Sequence, residues 1–147
     1  MTVPAAVPAA AGHSLRTPVA WGAVVGVLQA ASPLVFVWLD TATVLALGLT
    51  LIAAIYIGFA VADGRRHVLV VETTVAAAFT VVAAAAVPGT PWLVVAGLAA
   101  HGLKDVWQHH SRFVTGTRWW PPFCATVDWV AAALLALLLA TGGPVAL

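Results

Sequence analysis

Residues 42–62, ATVLALGLTLIAAIYIGFAVA, run without one charged side chain. A helix needs roughly 20 mostly apolar residues to cross a bilayer, and this stretch supplies them. Asp40 and Thr41 mark a tight reversal before it, and Asp63-Gly64-Arg65-Arg66-His67 closes it. Reading outward, the same criterion finds four more spans. Residues 19–39 precede it, interrupted by Pro33, which membrane helices tolerate. Residues 68–87 follow and end at Pro88-Gly89-Thr90-Pro91. Residues 92–109 begin at Trp92 and turn polar from His101 onward, and residues 123–140 form the last span after a loop.

The expectation is an all-α integral membrane protein, a five-transmembrane-helix bundle. Residues 18–147 form its single domain, behind a loose Pro/Ala-rich tail at residues 1–17. That tail lacks the basic start and cleavage pattern of a secretory signal.

Composition agrees. Of 147 residues, 63% are hydrophobic and 7% charged, with a mean hydropathy of +1.04. Soluble domains carry about 25% charged residues, so this chain could not cover a water-facing globule. A net charge of +1 gives no field for nucleic acid. The single cysteine, Cys124, excludes an intrachain disulfide and any thiolate zinc cluster, and reads as a small packing residue.

Positive charge sets the orientation. Arg16, Arg65, Arg66, Arg112 and Arg118 fall in three segments that five spans place on one side. The opposite segments, around Asp40, at 88–91 and at 141–147, hold no Lys or Arg. The N-terminus is therefore expected in the cytoplasm and the C-terminus outside, in the cell membrane. Trp21, Trp107, Trp119 and Trp120 fall near the inner interface, and Trp38 and Trp92 near the outer, as an aromatic belt does.

Ionisable groups within spans are costly, and by default mark function. The fourth span carries the sharpest pattern. His101, Asp105 and His109 recur every four residues on one helical stripe, with Lys104 and Gln108 beside it. Those five side chains fit within about 140° of arc, so that side must face the bundle or a water-filled cavity. Glu72 in the third span and Asp128 in the fifth share the layer of Asp105, roughly 6–9 Å from the inner boundary. Carboxylates so placed repel, which favours protonation of one of them and acid–base chemistry beside imidazole. The same side chains suit a divalent metal such as Zn²⁺ or Fe²⁺. His101 and His109 are about 12 Å apart along the helix, too far to share one ion.

Asp105 is thus the expected principal acid or base, oriented by His101 and His109, with Glu72 and Asp128 tuning it. Metal candidates are His101, Asp105, His109, Glu72 and Asp128; the cofactor is such a metal or none. Lys104 and Arg112 are expected to hold an anionic headgroup, and Trp107 and Trp129 the rest of the substrate. Structural roles compete with these. Glu72 pairs with Lys104 or Arg66, His109, His110 and Lys104 snorkel to headgroups, and Asp128 caps the loop before its span. Gly22-x-x-x-Gly26 permits close helix packing, within the chain or in a homodimer.

The expected function is a small membrane enzyme performing acid–base, metal-assisted or metal-free, chemistry on a lipid or isoprenoid-like substrate in the cytoplasmic half of the bundle. Its partners would be membrane lipids and that hydrophobic small molecule, without nucleic acid, in a homodimer or larger membrane complex or alone. The alternatives are a proton- or metal-linked transporter or channel, and an accessory subunit of a larger complex. Polar groups crowding one leaflet favour an enzyme over a conduit, which needs polar lining throughout.

Overall fold

Five helices make up residues 15–142, the part of the chain that the computed structural model describes; no strand occurs among them. They are α1 (Arg16–Ala31), α2 (Thr41–Asp63), α3 (Arg66–Ala86), α4 (Trp92–Ser111) and α5 (Trp120–Ala140). Residues 1–14 of the expected tail lie outside the described residues, and Arg16 and Thr17 already belong to α1.

Local chemistry explains where the boundaries depart from the hydropathy reading. The first span does not continue to residue 39. A 3₁₀ turn, Ser32–Leu34, follows α1, because Pro33 offers no N–H and its ring crowds the preceding turn. The Ser32 hydroxyl donates to the Gln29 carbonyl at 2.7 Å, satisfying one freed acceptor. Asp40 caps α2 by accepting from the Thr43 amide at 2.8 Å and from its hydroxyl. Gly64 ends that helix in the left-handed region, φ 78°. The last helix starts three residues early, at Trp120. Pro121 and Pro122 belong to its first turn, where a missing N–H costs nothing.

Four of the helical segments are long and apolar enough to cross a membrane: residues 16–34, α2, α3 and α5. Their outward faces are apolar too. Leu28, Leu47, Leu51, Val61, Val70 and Val81 are all exposed, as a hydrocarbon surround would favour.

The last helix is the hub, packed between α1 and α4, while α2 pairs with α3 and α4 reaches α3 and α2. Gly22 and Gly26 seat α1 on α5: a Cβ at Gly22 would lie 2.5 Å from the Phe123 carbonyl oxygen, and one at Gly26 2.8 Å from that of Val127. The small-residue seam is therefore filled within the chain. One apolar core, including Leu45, Leu49, Val94, Leu98, Ala131 and Leu135, occupies the end away from the arginines. A smaller one, Tyr56, Ala60, Val68 and Val114, closes the arginine-bearing end. There Asp63 ties two loops together, accepting from Arg65 at 2.6 Å and from the Thr115 amide at 2.8 Å. Arg65 in turn donates to the Phe113 carbonyl at 2.7 Å.

Candidate buried polar site

Helical periodicity brings the polar stripe of α4 inward. His101, Asp105 and Gln108 are 0–1% exposed, while Leu103 and Trp107 on the other face are open. Opposite the stripe stand Glu72 of α3 and Asp128 of α5, both equally buried. The five polar groups form two sets with different chemistry.

In the first set the carboxylate is fully engaged, although the Gln108 Oε1 has no partner. Glu72 accepts from the Lys104 ammonium at 2.7 Å through one oxygen and from the Gln108 amide through the other. The ammonium also lies 3.4 Å from the centroid of the Tyr56 ring, a cation–π contact. Glu72 thus joins Lys104 rather than the other carboxylates, and Lys104 turns inward to it rather than to a headgroup.

The second set is open. The His101 Nδ1 is 2.8 Å from an Asp128 oxygen and 3.5 Å from one of Asp105. Asp128 therefore binds the imidazole across the α4–α5 contact rather than capping the preceding loop. Cys124 completes the group. One ligand atom each from His101, Asp105, Cys124 and Asp128 lie within 4.8 Å of one another. The Tyr56 hydroxyl, the Cys124 thiol and the Asp128 carboxyl all stand close to Asp105. Yet neither Asp105 oxygen has a partner in good hydrogen-bond geometry, nor do the second oxygen of Asp128, the His101 Nε2, the Tyr56 hydroxyl, the Gln108 Oε1 and the Trp120 Nε1. Buried polar atoms are rarely left so. Phe79 meets the imidazole edge-on at 5.0 Å between ring centroids and helps fix its plane.

Toward the arginine-bearing end the stripe meets a cavity of about 470 Å³, whose lining includes Gln108, His109, Arg112, Thr115, Arg118 and Pro121. His109 thus lies with the arginines, two turns from His101, and outside the His–Asp–Cys group. Arg112 is exposed and ends α4 with a left-handed φ of 51°. The cavity lining contains none of the four clustered residues, and Gln108 stands between the two compartments.

Trp107 and Trp129 are not brought to the site. Trp107 is exposed and packs against Phe113, at 5.3 Å between centroids. Trp129 lies across Gly102, where a Cβ would collide with its indole, and donates to the Ala99 carbonyl at 3.3 Å.

Cys124 and Tyr56 are the residues that sequence reasoning passed over. Cys124 precedes Asp128 by four residues, so the two share a helix face. Tyr56 is the sole tyrosine, placed inside an apolar span where a hydroxyl needs a partner. Among the described residues, fold and site together define a helical bundle, four of whose helical segments are long and apolar enough to cross a membrane, around a buried His–Asp–Asp–Cys group. No protein-family model, curated protein or solved structure matches it.

Proposed function

We propose that this chain is a multi-pass enzyme of the cell membrane, with five spans and its N-terminus in the cytoplasm. It performs acid–base chemistry on an amphiphile, a lipid or isoprenoid-like molecule with an anionic headgroup. One observation carries the reading: a fully buried carboxylate, Asp105, is gathered with His101, Cys124 and Asp128 and makes no hydrogen bond of good geometry. A group locked for structure has its hydrogen bonds filled; one that exchanges a proton with a substrate keeps them free.

In this reading Asp105 is the acid or base. His101, held by Asp128, shares the proton and orients the carboxylate. The basic cavity receives the headgroup between Arg112 and Arg118, with His109 beside them. The Glu72–Lys104 pair braces α3 against α4 and keeps the neighbouring positive charge in place. The far end of the bundle favours an enzyme over a conduit, because Leu45, Leu49, Val94, Leu98 and Leu135 fill it with hydrocarbon.

The test is a lipid extract. The gene is deleted from its native host, which is then complemented with the wild type or Asp105→Asn, and the total lipids are separated and weighed by mass spectrometry. The expected result is one amphiphile that accumulates on deletion, with a related product restored by the wild type and not by Asp105→Asn. An unchanged lipid extract overturns the enzyme reading.

A further inference from the structure

We propose that His101, Asp105, Cys124 and Asp128 form a binding site for a single Zn²⁺ ion. The site rests on four features: identity, separation, burial and unfilled valence. An imidazole nitrogen, two carboxylates and a thiol are the ligand types that zinc takes in tetrahedral sites. Their candidate ligand atoms lie within 4.8 Å of one another. Zinc bonds of about 2.0–2.3 Å imply ligand–ligand edges of roughly 3.3–3.6 Å in a tetrahedron. The His101–Asp105 contact, at 3.5 Å, already has that length. The His101–Asp128 edge, at 2.8 Å, lengthens and the others, at most 4.8 Å, shorten by up to about 1.5 Å, through side-chain rotation.

The placement of the ligands favours a rigid site. His101 and Asp105 are one turn apart on α4, and Cys124 and Asp128 one turn apart on α5, in the helix pair held together by the Trp129–Gly102 contact. All four residues are 0–2% exposed. Asp105 offers two unpartnered oxygens and Asp128 one, aimed among the other ligands. His101 would ligate through an unprotonated Nδ1 as the neutral imidazole with its single proton on Nε2, and the thiol and carboxyl protons leave to solvent. One oxygen of Asp105 remains for proton exchange, so the metal deepens the proposed acid–base centre. Glu72 and His109 stay outside the set, the first committed to Lys104 and Gln108, the second in the basic cavity.

The inference shares its residues with the proposed enzyme but is tested without turnover. The full chain is purified in detergent, stripped with a chelator, reloaded with excess Zn²⁺, desalted, and its metal counted by mass spectrometry. One Zn²⁺ per chain is expected, with Cys124→Ser and Asp128→Asn each binding at least about ten-fold more weakly. His67→Ala, which alters an exposed histidine away from the group, should bind as the wild type does. Loading wild-type protein with Co²⁺ should add thiolate-to-cobalt charge transfer and the strong visible bands of a tetrahedral ion. Cys124→Ser should lose the charge transfer. No stoichiometric Zn²⁺, or Co²⁺ bound without thiolate charge transfer, overturns the site. If Zn²⁺ fails to bind while the lipid change persists, the metal site falls and the enzyme stands. If Zn²⁺ binds as described and the lipid extract is unchanged, the site stands and the enzyme falls.

Discussion

Replacing Glu72 by leucine should destabilise the bundle strongly, and adding Lys104→Met should return most of that loss. Glu72 is 1% exposed and its partner 13%, so neither charge is solvated. Removing one member of a buried pair typically costs about 3–5 kcal/mol, because the other charge is left without compensation. The Gln108 amide loses its acceptor at the same time, adding about 1–3 kcal/mol. The net expectation for Glu72→Leu is a loss of at least about 4 kcal/mol. With both members replaced no buried charge remains, and such exchanges are often neutral or stabilising. The double variant should therefore lie within about 2 kcal/mol of the wild type, the remainder coming from Gln108. The assay is denaturant unfolding in one detergent for the wild type, both single variants and the double. A coupling energy of at least about 2 kcal/mol is expected from the pair. If Glu72→Leu costs the same with and without Lys104→Met, the two side chains are not coupled and the account of this lock is wrong.

Three further outcomes follow from other parts of the molecule. A reporter fused after Leu147 should read as outside the cell and one inserted between Arg112 and Arg118 as cytoplasmic; both on one side would remove the five-span topology. Gly22→Ala should lower the unfolding midpoint by the equivalent of about 1–3 kcal/mol, since its Cβ would lie 2.5 Å from the Phe123 carbonyl oxygen and 2.7 Å from the Thr126 Cβ. Wild-type stability would show that α1 does not pack this closely. The Asp40 carboxyl is held below its ordinary value of 3.8 by the Thr43 hydroxyl and then the Thr43 amide. Its depressed folded value means that the cap contributes fully above the unfolded value and fades as the pH falls through the folded one. Hydrogen exchange of the first turn of α2 should therefore speed up at acid pH in the wild type, and an equal acid response in Asp40→Ala would refute this cap.

Helix positions were legible because hydropathy alone separates a chain this poor in charge into apolar runs. Two of the misread boundaries share one cause, proline acting through its ring and missing N–H. Pro33 ends a helix that hydropathy continues, and Pro121 and Pro122 begin one that composition assigns to a loop. The inward face of α4 was legible as well, since a 3.6-residue repeat fixes which side chains share an arc. Which of them touch was not, because that depends on how α3 and α5 rotate about their axes. A common depth placed Glu72, Asp105 and Asp128 in one layer. Rotation then gave Glu72 to Lys104 and Asp128 to His101. Cys124 read as a small packing residue because a lone cysteine is uninformative until its neighbours are known.

Satisfaction, more than burial, divides the stripe. Glu72 and Asp105 are both essentially without solvent contact, 1% and 0% exposed, and both face α4-borne donors or ions. Burial therefore does not distinguish them. Glu72 has both oxygens engaged by donors that sit one turn apart on the facing helix, which is what a lock between helices requires. Asp105 has neither oxygen in a well-formed hydrogen bond, and its neighbours His101 and Asp128 already serve one another. An unfilled buried acceptor costs about 1–3 kcal/mol, so a residue kept only to join helices would be expected either to fill its bonds or to be replaced by an apolar one. Leucine or alanine would serve better there, as Val94 and Leu98 do earlier in α4. Asp105, unlike Glu72, therefore gains by something arriving, whether proton, substrate or ion. On that argument the function is to be sought at Asp105 and not at Glu72, the order in which the flanking imidazoles already ranked them in the sequence.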